Sequence, residues 1–249
     1  RHEGPIVKKS ENGPDNFGCV NVDVICWKGR YYLYYLGIAG ARKHEKHPTR
    51  NCPRGWWEGP HKPGYLRSTI MVAEADSPAG PFQKRTPLLE VGPPGAWDSW
   101  KLVDPHVCVF QDQFLLYYKG NNAESFESRK IGLAVGKTPV GPFQRHPANP
   151  VIDLAPETGC EVPTVFCHQG KLGMLLLTFT PRRCMYLVSD DGVDWAVAQD
   201  PFGPRTGHFH MDIGMVKDTD NNLLPYYFQM NRTDPMTLKA YHLNMENSA

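Results

Sequence analysis

The chain of 249 residues carries 27 basic against 26 acidic side chains, a formal net charge of +1 that supplies no electrostatic footprint for nucleic acid. With 41% hydrophobic residues it can fill one sizeable core, and no apolar run approaches the roughly 20 residues needed to span a bilayer. The 23 glycines and 23 prolines make it turn-rich, which argues against a helical fold.

The N-terminus, Arg1-His2-Glu3-Gly4-Pro5, has neither the apolar core of a signal peptide nor an initiator methionine, and reads as cut, processed or partial. Seven cysteines without a C-x-x-C pair argue against a zinc knuckle or a redox motif. Cys26, Cys108 and Cys167 each fall shortly before a second-strand start and read as buried thiols, which favours a reducing compartment. Cytoplasm and periplasm both stay open.

In chain order, a first hairpin is predicted from residues 21–27 across Lys28-Gly29-Arg30 into 31–35. A polar insertion over 41–65 follows and holds Trp56 and Trp57, either a sugar-stacking wall or an anchor for the loop. An alternating strand over 68–75 then leads into a turn closed by an aromatic, Asp76-Ser77-Pro78-Ala79-Gly80-Pro81-Phe82. The second hairpin spans 107–110 and 114–118, with Asp104-Pro105 expected at the start of its first strand, where proline costs no ladder donor. The figure repeats: a strand at 131–136 and the turn Lys137-Thr138-Pro139-Val140-Gly141-Pro142-Phe143, then a hairpin over 161–166 and 172–179. A strand at 185–189 and the turn 190–195 complete that unit, and a fourth takes 211–216, 223–228 and 238–242.

Four such modules without intervening helices predict an all-β fold, a five-bladed β-propeller with four blades visible in this chain and the first missing, in a single domain over 1–249. In a propeller the first strand of each blade lines the central channel, so polar residues near their starts face one another. Counting back from the second strands aligns Asn21, Asp104 and Glu161, and the period of two puts Asp23 on the face of Asn21. The fourth module adds Asp212 and the pair His208 and His210.

Carboxylates from separate strands aimed at one point are what inverting glycoside hydrolysis requires. One protonates the leaving oxygen and another activates water from the opposite face, at roughly 6.5–9.5 Å. The alternative reading of each acidic residue is a turn cap. His208 reads either as a ligand for a divalent cation in the channel or as a structural histidine, and His210 either as a sugar contact or as structural; no cofactor is otherwise required.

The stretch Trp97-Asp98-Ser99-Trp100-Lys101-Leu102-Val103-Asp104-Pro105, with Leu116-Tyr117-Tyr118-Lys119-Gly120, resembles the five-bladed propeller glycosidases of families 43 and 117. So do residues 76–82, Gly159-Cys160-Glu161-Val162 and Ser189-Asp190-Asp191-Gly192-Val193-Asp194-Trp195. The stronger resemblance is to family 117, which acts on agar oligosaccharides. It implies that Asp104 matches the second catalytic position and Glu161 the third. Two departures stand out: Cys160 occupies the place of a histidine proposed as general acid in family 117, and the Asp-Pro blade supplying the general base falls before this sequence.

The resulting expectation is an exo-acting, inverting hydrolase that releases a terminal sugar from a galactose-type oligosaccharide. Glu161 would be the acid, Asp104 the residue that orients it, and Asp23 a surrogate base or a hydroxyl ligand. Lys119, Trp100, Trp56, Trp57, His210 and Asn21 would line the substrate. Two alternatives stand beside it: a sugar-binding propeller without catalysis, and a glycoside phosphorylase, for which Arg182-Arg183 is the compact basic candidate. No nucleic acid or membrane partner is expected, and a homo-oligomer stays open.

Overall fold

β-Branched and aromatic residues fill the periodic segments, and each segment folds back on its sequence neighbour. The computed structural model describes residues 4–40, 67–122, 128–155, 157–168 and 170–199, together with the backbone of residues 213–217, 223–231 and 237–242. All the regular structure in these residues is strand.

The first sheet comprises β1 (Gly18–Trp27), β2 (Arg30–Ala39), β3 (Arg67–Ala75) and the short β4 (Gln83–Lys84), in that order, with β5 (Leu89–Glu90) also on β3. The second runs β6 (Lys101–Phe110), β7 (Gln113–Asn121), β8 (Lys130–Gly136), β9 (Phe143–Arg145). The third runs β10 (Cys160–His168), β11 (Lys171–Phe179), β12 (Arg182–Ser189), β13 (Ala196–Val197). The fourth consists of β14 (Ile213–Lys217), β15 (Leu223–Asn231) and β16 (Thr237–His242). Neighbouring strands are antiparallel throughout. Both residues of Lys28-Gly29 and of Gln111-Asp112 have positive φ, the backbone that matches hairpin twist.

Side chains alternate across the sheets and build the stack. On β7, Phe114, Leu116 and Tyr118 face a core shared with Ile25, Tyr34, Ile70 and Val72 of the first sheet. Leu115 and Tyr117 face the other way, into a core shared with Val165, Leu172, Met174 and Leu176 of the third. Each fully buried leucine here, Leu116 among them, contributes roughly 1.5–3 kcal/mol. The second sheet is thus buried on both faces, and β6 lies between β1 and β10.

The aromatic-closed turns are the joints between sheets. The hydroxyl of Tyr34 on β2 donates to Pro139 O at 2.8 Å, and that of Tyr117 on β7 donates to Gly192 O at 2.7 Å. Each acceptor is the third residue of the next module's turn, so the sequence repeat is also a repeat of this contact. Trp97 stacks on Tyr118 with centroids 5.8 Å apart. It lies against Gly120 and Gly132, where an added Cβ would come within 2.6–2.7 Å of a ring.

One expectation is corrected. Asp104-Pro105 does not start a strand: β6 begins at Lys101, and the pair lies inside it, where the register skips between Val103 and His106. β10 skips between Glu161 and Thr164 and β1 between Val20 and Val22. Each skip is a β-bulge with one extra residue, and the proline is accommodated because the ladder is interrupted there.

Candidate active site

The three bulges are equivalent. Asn21, Asp104 and Val162 each lie six residues before the end of their strand, and each has positive φ, at 50°, 53° and 56°. Left-handed backbone is uncommon for non-glycine residues and an outlier for β-branched valine, so its three occurrences mark one recurring bulge on the first strand of each of these sheets. Asn21 and Asp104 are therefore counterparts, and Glu161 lies one residue before their counterpart Val162, as the count of eleven rather than ten residues from its second strand implied.

Asp104 is buried, with 8% of its surface exposed. Its Oδ1 accepts a hydrogen bond from Asn21 Nδ2, which ties the first sheet to the second. Its Oδ2 lies 3.5 Å from Lys119 Nζ, an ion-pair separation, and has no hydrogen-bond partner among the described residues. Lys119, on β7 opposite Val103, also donates to Glu161 Oε2 at 2.6 Å. Arg129 Nη1 donates to the same oxygen at 3.2 Å. The result is a chain across three sheets, Asn21 to Asp104 to Lys119 to Glu161 to Arg129, in which two buried carboxylates meet two cations. Buried charges persist only when paired in this way.

Arg129 is the member that sequence reasoning missed. Its guanidinium sits over the Phe179 ring, 4.8 Å from the centroid. Its carbonyl accepts the Cys160 amide at 3.2 Å and the Cys160 thiol at 3.5 Å. Cys160 is fully buried in the core between the second and third sheets. Burial first, then the charge of Asp153, push its thiol up to about 12. The thiol stays protonated and serves to fix Arg129, while the next residue, Glu161, turns to Lys119.

Asp23 lies elsewhere. Its Oδ2 accepts the Val107 amide at 2.8 Å and its Oδ1 lies 3.6 Å from His106 Nε2. His106 Nδ1 accepts the Val165 amide at 3.2 Å, so Asp23 and His106 stitch β1, β6 and β10 together. Asn21 and Asp23 thus both reach β6, the first at Asp104 and the second at Val107.

The amide of Trp100 donates to Asn121 O at 2.8 Å and opens the second sheet; its indole Nε1 is buried with no hydrogen-bond partner among the described residues. Asp98, also from the tryptophan-rich motif, is buried and accepts from Tyr118 Oη at 3.2 Å and Arg145 Nε at 2.8 Å, a structural anchor. Arg183 is exposed on β12, and the compact basic pair beside the carboxylates is Lys119 with Arg129. Trp56, Trp57, His208, His210 and Asp212 lie outside the described residues. No group of three metal-binding side chains occurs among the described residues.

No family model matches the sequence, and no curated protein matches it either. The fold is similar to that of propeller glycoside hydrolases of families 117 and 43. A family 117 glycoside hydrolase from the marine bacterium Zobellia galactanivorans matches with a TM-score of 0.67 and 24% identity, over 96% of this chain and 65% of that one. A thermostable family 43 glycoside hydrolase matches with a TM-score of 0.53 and 18% identity, over 83% of this chain and 64% of its own. The β-1,2-mannobiose phosphorylase of Listeria innocua matches with a TM-score of 0.57 and 13% identity, over 92% and 72%. This chain thus spans a little under two thirds of the length of the two hydrolases.

Proposed function

We propose that this chain forms the Asp104–Glu161 side of an exo-acting, inverting glycoside hydrolase that releases a terminal sugar from a galactose-type oligosaccharide. The observation that carries the reading is Lys119 Nζ, which draws Asp104 of the second sheet and Glu161 of the third to one point. Glu161 is the general acid. Its Oε2 stays with Lys119 and Arg129, while Oε1 takes up a proton from solvent before each turnover and passes it to the glycosidic oxygen. Asp104, held by Asn21, orients Lys119 and through it the acid.

Asp23 is a positioning residue in this scheme, because its carboxylate is engaged by Val107. The water-activating base in this scheme is a further carboxylate at an Asp-Pro motif, an assignment that rests on the resemblance to families 117 and 43 alone. The galactose-type substrate rests on the resemblance to family 117 alone.

The test is Glu161→Gln assayed on agar-type oligosaccharides. The wild type releases a terminal sugar whose first anomer, read by NMR, is inverted; the variant releases none and still binds. Binding without release by the wild type would favour a carbohydrate-binding propeller instead. A second reading, phosphorolysis, draws on the mannobiose phosphorylase fold and on the Lys119–Arg129 pair. It requires turnover that depends on inorganic phosphate and yields a sugar 1-phosphate.

A further inference from the structure

The sequence places a cysteine near the far end of three successive inner strands, and the fold brings two of them into contact. Cys108 on β6 and Cys167 on β10 have their sulfurs 3.5 Å apart, although 59 residues separate them in the chain. Both thiols are directed at one carbonyl: Cys167 Sγ lies 3.5 Å and Cys108 Sγ 3.7 Å from Val109 O. A shared acceptor holds two sulfurs side by side. Cys108 is fully buried in the core between the second and third sheets, and Cys167 packs against that core while remaining partly exposed.

We propose that Cys108 and Cys167 are a redox-active dithiol that closes to a disulfide across the seam between the second and third sheets. A disulfide needs sulfurs about 2.05 Å apart, so closure requires an approach of about 1.5 Å from the present contact. Side-chain rotation of the partly exposed Cys167 is the movement that closes it. The same seam carries the candidate active site, with Asp104 and Lys119 on one side and Glu161 on the other. Closing the disulfide fixes the two inner strands that position those carboxylates.

The oxidant is a small-molecule disulfide, and the exchange balances. The Cys167 thiolate attacks one sulfur of oxidised glutathione and expels one glutathione thiolate. The Cys108 thiolate then attacks Cys167 Sγ of the mixed disulfide and expels the second. Two protons leave the protein and two glutathione thiols form.

The test uses the folded wild-type chain, incubated with oxidised or reduced glutathione, then denatured and alkylated with iodoacetamide. Under oxidation two of the seven cysteines escape alkylation. Tryptic peptides 102–119 and 146–171 become linked, and fragmentation places the link on Cys167 rather than on Cys160 of the same peptide. The oxidised protein melts higher by on the order of 5 °C, because the bridge closes a long loop. Cys167→Ser abolishes both the link and the gain. The proposal fails if all seven cysteines remain alkylatable, if the link forms only after denaturation, or if it falls on Cys160. A melting gain that survives in Cys167→Ser overturns it as well. None of these readouts depends on the protein having activity on a sugar.

Discussion

Lys119 Nζ lies 2.6 Å from Glu161 Oε2 and 3.5 Å from Asp104 Oδ2, so one ammonium holds two acidic side chains that belong to different sheets. Remove that charge and both carboxylates are left in a site that exposes less than a tenth of either. Lys119→Met, similar in length, is expected to destabilise the protein by about 3–5 kcal/mol in urea denaturation, the cost of breaking a buried pair from one side. Combining it with Glu161→Gln removes one of the two stranded charges as well. The double variant is therefore expected to lose at least 1 kcal/mol less than the sum of the singles. Additive losses would mean that the two side chains do not interact.

Arg129 touches Glu161 and is held by Cys160 and Phe179. Its expected part is to position the acid. For Arg129→Ala, kcat on an agar-type oligosaccharide should fall on the order of 10²-fold, with KM within about twofold of wild type, because misplacing a reacting group acts on the transition state. Arg129→Lys keeps a cation but not the planar stack on Phe179, and should recover only part of the loss. A rise in KM with kcat unchanged would make Arg129 a substrate-binding group instead.

Hairpins were legible in this sequence because short continuous apolar runs such as residues 114–118, whose side chains enter cores on both faces, are bounded by turn residues. The outer strands β4 and β13 were not, because two residues carry no period. At the site, the sequence expected Asp104 and Glu161 to approach one another, and in the fold both lie within ion-pair distance of Lys119. The strand entry expected at Asp104-Pro105, from reading proline as the mark of a strand start, is instead a bulge inside β6. Arg129 left no local signature: what places it is Phe179 on another sheet, a contact that only the folded chain creates.

Gly120 ends the Leu-Tyr-Tyr-Lys-Gly motif one residue after Lys119. Its hydrogen faces Trp97, and a Cβ there would lie 2.6 Å from that ring and 2.7 Å from Asp98 Cβ. Gly120→Ala must displace a tryptophan already stacked on Tyr118, an overpacking expected to cost about 1–3 kcal/mol. The measurement is a denaturation midpoint. An unchanged midpoint would show that Trp97 is free to move, and with it that the motif does not brace β7.

Acid sensitivity should arise at Asp15, which packs on the first sheet. Asp15 is fully buried, and burial alone would raise its pKa. Hydrogen bonds from Lys84, Ser10 and Tyr35 outweigh that effect and hold it at about 2. Lys84 Nζ is the closest of these, 2.5 Å from Asp15 Oδ2. A carboxyl group whose folded pKa lies below its unfolded value stabilises the fold above the unfolded value, near 3.8, and loses that contribution as pH falls through about 2. The contribution amounts to about 2 kcal/mol at neutral pH. Unfolding free energies of wild type and Asp15→Asn, measured between pH 6 and pH 2, should therefore converge as the solution is acidified. A gap that stayed constant across that range would show that the ionised carboxylate of Asp15 contributes nothing to holding the N-terminal segment on the first sheet.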